Sequence, residues 1–200
     1  GKLMSWHPQK IARMARQLEL LESRLSYYEQ ELRHLYRSRY TLDRYLGESK
    51  LVQNLRRAAA QAAASDLPVL ITGETGTGKE ILAHAIHQLS SRRDKPLVRV
   101  NCASIPQELG ELPLAMQVKL LRVIQEGEVE RVGGTRPLRL DFRVIAATNR
   151  DLREMISAGG FRDDLFYRLN IFPLRAPALR QIPEDIPRLA YHILGQLKDR

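Results

Sequence analysis

One stretch limits the folds open to this chain more than any other: Gly73-Glu74-Thr75-Gly76-Thr77-Gly78-Lys79. The apolar run Leu67-Pro68-Val69-Leu70-Ile71-Thr72 precedes it, and the amphipathic run Ile81-Leu82-Ala83-His84-Ala85-Ile86 follows it. A buried strand, a glycine-rich loop and a helix start, in that order, make a phosphate cradle. Glycine permits the tight backbone and leaves no Cβ in the path of a phosphate. The loop amides and the helix N-terminus present partial positive charge, and Lys79 reaches the terminal phosphates as a point charge. The pattern is G-x-x-x-x-G-K, with Glu80 where a Ser or Thr that touches magnesium is usual. Magnesium must therefore be held differently in detail. A plain glycine-rich surface turn is the bland alternative, and the flanking strand and helix argue against it. A dinucleotide fingerprint needs a third glycine that does not follow Gly76 and Gly78.

Strand and helix alternate after this loop, which predicts an α/β fold on a parallel sheet. A helix is expected over about 50–64, capped by Ser49, with Leu51 and Leu55 on one face. Pro96 to Cys102 reads as a second strand, and 111–127 as an amphipathic helix ended by Gly127. Its apolar positions are Leu114, Met116, Val118, Leu120, Leu121, Val123 and Ile124. Glu128 to Thr135 reads as a charged hairpin with a glycine turn. Phe142 to Thr148 is another strand, ending on Asn149. Ligands of open α/β sheets sit at the carboxyl ends of strands, which puts Asn149 near a terminal phosphate; its plain alternative is a turn former before Asp151. Phe161 to Leu169 is a short helix carrying Arg162 and Arg168, Ile171 to Leu174 a final strand, and Pro183 onward a new helical unit. His84 and His87 lack further ligands for a metal site and read as solvent or interface residues. No residue is assigned as a metal ligand.

The first 40 residues differ in kind. Ile11, Leu18, Leu25 and Leu32 occupy a, and Met14, Leu21, Tyr28 and Leu35 occupy d, of a sustained heptad. That pattern argues a coiled coil, with Arg24 at g able to meet Glu29 at e of a parallel partner. A helix packed on its own domain is the alternative. Between Tyr36 and Ser49 basic and aromatic residues alternate, as on a nucleic-acid surface or in a solvated linker whose Tyr45 and Leu46 tuck into the next domain; the linker is preferred. The organisation expected is a coiled-coil signalling helix over 1–40, a nucleotide-binding unit over 41–175 and the start of a helical lid over 176–200.

Composition supports this without deciding it. Among 200 residues, hydrophobic content of 44% supplies a core, and the net charge of +9 fits a phosphate-bearing partner or a fragment that has lost acidic segments. The single cysteine, Cys102, fits a reducing cytoplasm. No membrane span or signal-peptide core is present in the sequence. A start without Met suggests a piece of something longer.

Taken together, Gly73 to Glu80, Asn101-Cys102-Ala103, Gly127 to Gly134, Ala147-Thr148-Asn149 and Phe161 to Leu169 resemble the central AAA+ domain of sigma-54-dependent transcriptional activators. The resemblance runs from about residue 41 to the end, and Glu80 is normal for that family. The heptads resemble the signalling coiled coil that joins a sensor domain to the ATPase in some members. The fold implied is a P-loop AAA+ three-layer sandwich.

The resemblance implies roles position by position. Gly73, Glu74, Thr75, Gly76, Thr77, Gly78, Lys79, Glu80 and Ile81 would hold the phosphates of ATP or ADP with Mg2+, and Tyr45 and Leu46 would lie near the adenine. Asn149 is similar to the residue that senses the γ-phosphate. Arg162 and Arg168 match arginines offered to that phosphate by a neighbouring subunit, where they stabilise developing charge. Asn101 matches the residue that restrains the catalytic glutamate. Glu130 and Arg131 lie in the pore-side loop. The partners implied are the sigma-54 RNA polymerase holoenzyme and further copies of the chain, as a dimer through the coiled coil and a hexameric ring when active. Enhancer DNA would be bound through a C-terminal domain not in this chain, and no membrane is expected.

Four parts of the family pattern are absent from the sequence or cut short. Leu109 joins Gly110 where a sigma-contacting loop reading G-A-F-T-G-A and a strand ending in Asp-Glu are expected, and no apolar run here ends in Asp-Glu. The lid stops early, without its sensor arginine. No helix-turn-helix follows. A segment is therefore expected to be missing between 109 and 110. The alternatives are an ATPase core of a transcription activator, a nucleotide-binding oligomerisation module that does not hydrolyse, and a nucleic-acid-binding module using the basic linker.

Overall fold

The computed structural model describes residues 41–98, 112–130 and 137–198. The heptad segment, Asn101, Cys102, Arg131 and the Leu109–Gly110 join lie outside the described residues.

The fold is built around one strand, β1 (Val69–Thr72), buried from Val69 to Ile71. It pairs in parallel with β4 (Ile145–Thr148), Val69 opposite Ile145 and Thr72 opposite Thr148. On its other edge it pairs in parallel with β5 (Phe172–Arg175), Val69 opposite Phe172 and Thr72 opposite Arg175. A strand covered on both faces must be apolar without alternation, and Val-Leu-Ile is. β5 flanks the sheet, and there Pro173 costs no ladder bond on the β1 side.

Side chains of β1 alternate between two helical layers. Val69 and Ile71 enter a core with α1 (Lys50–Ala63) and α2 (Lys79–Leu89), together with Leu174 and Ala176. Leu70 enters a second core with α3 (Leu114–Glu126), α4 (Leu152–Ser157) and α5 (Asp163–Leu169). Helices on both faces of a parallel sheet make the α/β three-layer sandwich the sequence led us to expect. Of the hairpin expected over 128–135, β2 (Glu128–Glu130) forms, but it pairs antiparallel with β3 (Pro137–Arg139), beyond the expected end, and the expected glycine turn lies outside the described residues.

Local signals account for the helix ends. The Ser49 hydroxyl accepts from the Val52 amide at 3.4 Å and starts α1. Gly127, left-handed at φ 67°, ends α3. The Asp151 carboxylate accepts from the Arg153 and Glu154 amides and starts α4, a helix the sequence reading did not anticipate.

Several expectations need correction. The buried face of α1 is Val52, Leu55, Ala59, Ala62 and Ala63, while Leu51 is 48% exposed. A stripe at three- and four-residue steps from Val52 reaches Leu55 and Ala59; Leu51, one turn before Leu55 in the first turn of the helix, is left largely uncovered. Leu114 and Met116 of α3 are exposed, and the polar Gln117 is fully buried in their stead. His84 is buried, not at solvent, with Glu80 3.9 Å from its Nε2; His87 is half-buried. Strand β4 begins at Ile145, three residues later than expected, and Phe142 is exposed. Pro96–Val98 are not in a strand, and the rest of that expected strand lies outside the described residues.

After β5 the chain makes two 3-10 turns, Leu179–Gln181 and Pro183–Asp185, then α6 (Ile186–Lys198). Ile182 is in the first core, and the Asp185 carboxylate accepts from the Glu48 and Ser49 amides at 2.6 and 3.1 Å. The residues up to Asp185 are thus packed on the sheet unit, whereas Ile193, Leu194 and Leu197 of α6 are exposed.

The two leucines of α1 separate the readings of its face. Leu55→Ala is expected to cost about 2–4 kcal/mol of stability and Leu51→Ala about 0.5 kcal/mol or less. Urea unfolding of the 200-residue chain measures both; equal losses contradict the assigned face.

Candidate nucleotide-binding site

Because β1, β4 and β5 run parallel, their carboxyl ends meet at one edge of the sheet, where ligands of such sheets bind. The Gly73 amide donates to Thr148 O at 3.2 Å, and the Ala176 amide to Thr72 O at 2.8 Å. Those bonds carry the ladder one residue past the strands and fix where the loop of Gly73 to Lys79 departs.

The loop closes on itself. The Thr77 hydroxyl donates to Glu74 O at 2.8 Å, and Lys79 Nζ donates to the carbonyls of Gly73 and Glu74 at 2.8 and 3.0 Å. Lys79 therefore arches back over the loop from the first turn of α2. Gly76 and Gly78 have φ of +83° and +82°, which L side chains rarely adopt. A Cβ at Gly76 would meet nothing within 4 Å, so that turn faces open space. Gly78 stands at the N-terminus of α2, an 11-residue helix whose first amides carry partial positive charge. A left-handed glycine turn, a folded-back lysine and a helix start are the donor set an anion of phosphate type requires.

Of the residues expected here, the structure gathers most. The Asn149 amide, just past β4, donates to Thr75 Oγ1 at 3.0 Å, which ties the end of β4 to the loop. The Tyr45 hydroxyl donates to Thr77 O at 3.0 Å. Burial pushes the Tyr45 phenol up to about 12, so it stays a neutral donor. Leu46 is half-buried beside it in sequence, Ile81 packs on the first core, and Glu80 is exposed in the first turn of α2. Asn101 is outside the described residues. Among the described residues no three His, Cys, Asp or Glu side chains group closely enough to hold a metal ion.

The two arginines sit elsewhere. Arg162 is the N-cap of α5, and Arg168 is exposed in its last turn. The Arg162 guanidinium forms a fork on Asp164, Nε to Oδ1 at 3.0 Å and Nη2 to Oδ2 at 2.6 Å, and holds that carboxyl below the usual range. Neither arginine donates to its own chain's loop among these contacts.

Three features escaped the sequence reading. Arg180 forms a bidentate pair with Glu74, which lowers the Glu74 carboxyl; the pair joins the loop to the turn after β5. Nothing in the sequence links positions 106 residues apart. Gln117 donates to Leu112 O at 2.7 Å and Gly160 O at 3.1 Å, and accepts from the Arg162 amide at 2.9 Å. It thereby fixes the turn that presents Arg162. A polar residue in line with Leu121 and Ile124 on the apolar face of α3 was the available signal. The third is the contact of Tyr45 with the loop.

The family described as Sigma-54 interaction domain matches residues 45–111 and 107–175. The transcriptional activator HyfR of Escherichia coli K12 is 47% identical over 187 residues, covering 75% of this chain and 28% of the relative. The Nif-specific regulatory protein of Azorhizobium caulinodans is 43% identical over 188 residues, covering 76% of this chain and 31% of the relative. The chain thus spans about a third or less of these relatives' length. NtrX from Brucella abortus in complex with ATP superposes with a TM-score of 0.76 at 33% identity, covering 92% of this chain and 47% of that one. NtrX in complex with ADP gives 0.75 at 32% identity, covering 97% of this chain and 50% of that one.

Gln117→Leu keeps the volume and removes all three bonds, leaving the Arg162 amide and two carbonyls without this partner. The expected loss is about 1–3 kcal/mol, read as a lowered midpoint in thermal unfolding; an unchanged midpoint contradicts the bracing role.

Proposed function

The chain belongs to the Sigma-54 interaction domain family, and from that premise we propose that it is the ATP-binding AAA+ core of a sigma-54-dependent transcriptional activator. The observation that carries the reading is the loop itself: Lys79 folded over Gly73 and Glu74, and a left-handed Gly76–Gly78 turn at the start of α2. The NtrX complexes with ATP and ADP support it.

In this reading the loop amides bind the phosphates of ATP, and Lys79 swings from the Gly73 and Glu74 carbonyls onto them. Asn149, already on Thr75, lies next to the loop that holds the phosphates and senses the terminal one. Mg2+ would offset phosphate charge if bound with the nucleotide; among the described residues no cluster of His, Cys, Asp or Glu would hold it. Arg162 and Arg168 project from α5, away from their own loop's contacts, and serve a neighbouring copy's site in a ring, a hexamer as the resemblance implies. Asn101 would restrain a catalytic glutamate supplied by the missing segment. The ring would remodel the closed complex of the sigma-54 RNA polymerase holoenzyme in the cytoplasm, with the heptads pairing chains and enhancer DNA held by a separate C-terminal domain. No helix of the described residues is long and apolar enough to cross a membrane.

The acid-bearing strand remains to be placed. The family match falls in two pieces that overlap at 107–111, around the Leu109–Gly110 join. An alignment of 187 positions is far longer than 75% of a 200-residue chain, so the HyfR sequence carries a run of positions with no counterpart here. Both support the reading that a family segment is missing between 109 and 110. Without it, the chain as given has no Asp-Glu pair at the end of an apolar run, which favours a second reading: a nucleotide-binding module that does not turn ATP over.

Lys79→Ala removes the cation facing the phosphates. Calorimetric titration with ATP is expected to show at least a tenfold loss of affinity, about 1.4 kcal/mol or more; unchanged affinity sinks the nucleotide-binding reading. ATP turnover with magnesium by the wild-type chain would overturn the second reading.

A further inference from the structure

Tyr45 precedes the sheet, yet its side chain ends at the phosphate loop. The residue is 7% exposed and belongs to the first core with Val52, Leu55 and Ile71. Its ring lies beneath Gly78: a Cβ there would stand 2.9 Å from Tyr45 Cε2. Glycine at 78 therefore answers two demands, the left-handed backbone and room for this ring. The hydroxyl donates to Thr77 O at 3.0 Å, across 32 residues of sequence.

The segment that carries Tyr45 is pinned on both sides. Arg56 of α1 donates through Nε and Nη2 to the Tyr45 carbonyl, at 3.0 and 2.5 Å. Three residues on, the Asp185 carboxylate takes the amides of Glu48 and Ser49. The hydroxyl is thus presented to the loop from a fixed support.

What it holds is a peptide plane. In a trans peptide the carbonyl and the next amide point in opposite directions, and no cis bond occurs among the described residues. With Thr77 O drawn toward the buried phenol, the Gly78 N–H is turned to the opposite, outer side of the loop. That is the side on which a bound anion would lie. With the whole Tyr45 residue only 7% exposed, little area is left to stack on a base.

We propose that Tyr45 is a positioning residue of the phosphate-binding loop: by holding the Thr77 carbonyl it aims the Gly78 amide at the phosphates, and it serves the phosphates, not the adenine. The inference rests on the nucleotide-binding reading above. Tyr45→Phe keeps the ring beneath Gly78 and deletes only the hydroxyl, so the loop loses its brace while the core keeps its packing.

The test compares ATP, tripolyphosphate and adenosine as competitors of a fluorescent ATP analogue, on the 200-residue chain and on Tyr45→Phe, well below both thermal midpoints. The expected result is a loss of about three- to tenfold for ATP and tripolyphosphate, the effect of one hydrogen bond, with adenosine unchanged. Arg56→Gln, which leaves the phenol in place, gives a smaller loss with the same selectivity. Unchanged ATP and tripolyphosphate affinity in Tyr45→Phe overturns the positioning role. An equal loss for adenosine overturns it too, and returns Tyr45 to the base. If the wild-type chain binds neither ATP nor tripolyphosphate, the nucleotide-binding reading falls and this inference with it.

Discussion

The structure depends on the burial of β1. A strand paired on both edges and covered on both faces has one exit for a polar chain, its carboxyl end, and there the backbone must leave the sheet within a residue or two of Thr72. The bonds from Gly73 to Thr148 and from Ala176 to Thr72 fix that exit to within a peptide. Everything that follows is a consequence: the left-handed glycines that turn the chain, the start of α2 over the turn, and Lys79 reaching back across it. The layers of helices supply the apolar cover that makes a buried parallel strand affordable.

Around this exit the molecule places braces from distant parts of the chain. Tyr45 holds Thr77 from below, Asn149 holds Thr75 from the end of β4, and Arg180 holds Glu74 from the turn after β5. The Arg180–Glu74 pair is exposed, so its energetic weight is small. Glu74 lies below its ordinary value, so the pair is intact above the unfolded carboxylate range and is lost as the pH falls through the lowered value. The Tyr45 contact is part-buried and neutral, and does not titrate with it. A loop held from three sides costs less to order around a ligand than a free one.

How much of this was legible in the sequence follows from the range of each interaction. The loop, β1, α2, β5 and α5 were readable because their signals are local: apolar runs, glycine spacing, the Gly127 stop. The face of α1 was misjudged because alanines carry it; Leu51 is the larger apolar residue, yet Ala59 and Ala62 are the ones that fit against the sheet. His84 is buried although polar because it shares the covered side of the helix with Ala85, and residue type alone does not show which side it takes. α4 is six residues long, fewer than two turns, too short to show a repeating apolar face. Gln117 and Arg180 act through partners far along the chain, where no spacing rule applies. Tyr45 was expected near the adenine; its hydroxyl bond to Thr77 O is a contact across 32 residues that no spacing rule gives.

The central claim is that the amides of this loop are arranged for phosphate. The most direct measurement is a backbone amide NMR titration of the chain with ATP. The account predicts that the largest and earliest shifts fall on the amides of Gly76, Gly78 and Lys79 and on the side-chain amide of Asn149. It is contradicted if those resonances stay in place while ATP shifts a different region, such as the shallow opening lined by Arg150, Asp151, Glu154 and Ala158.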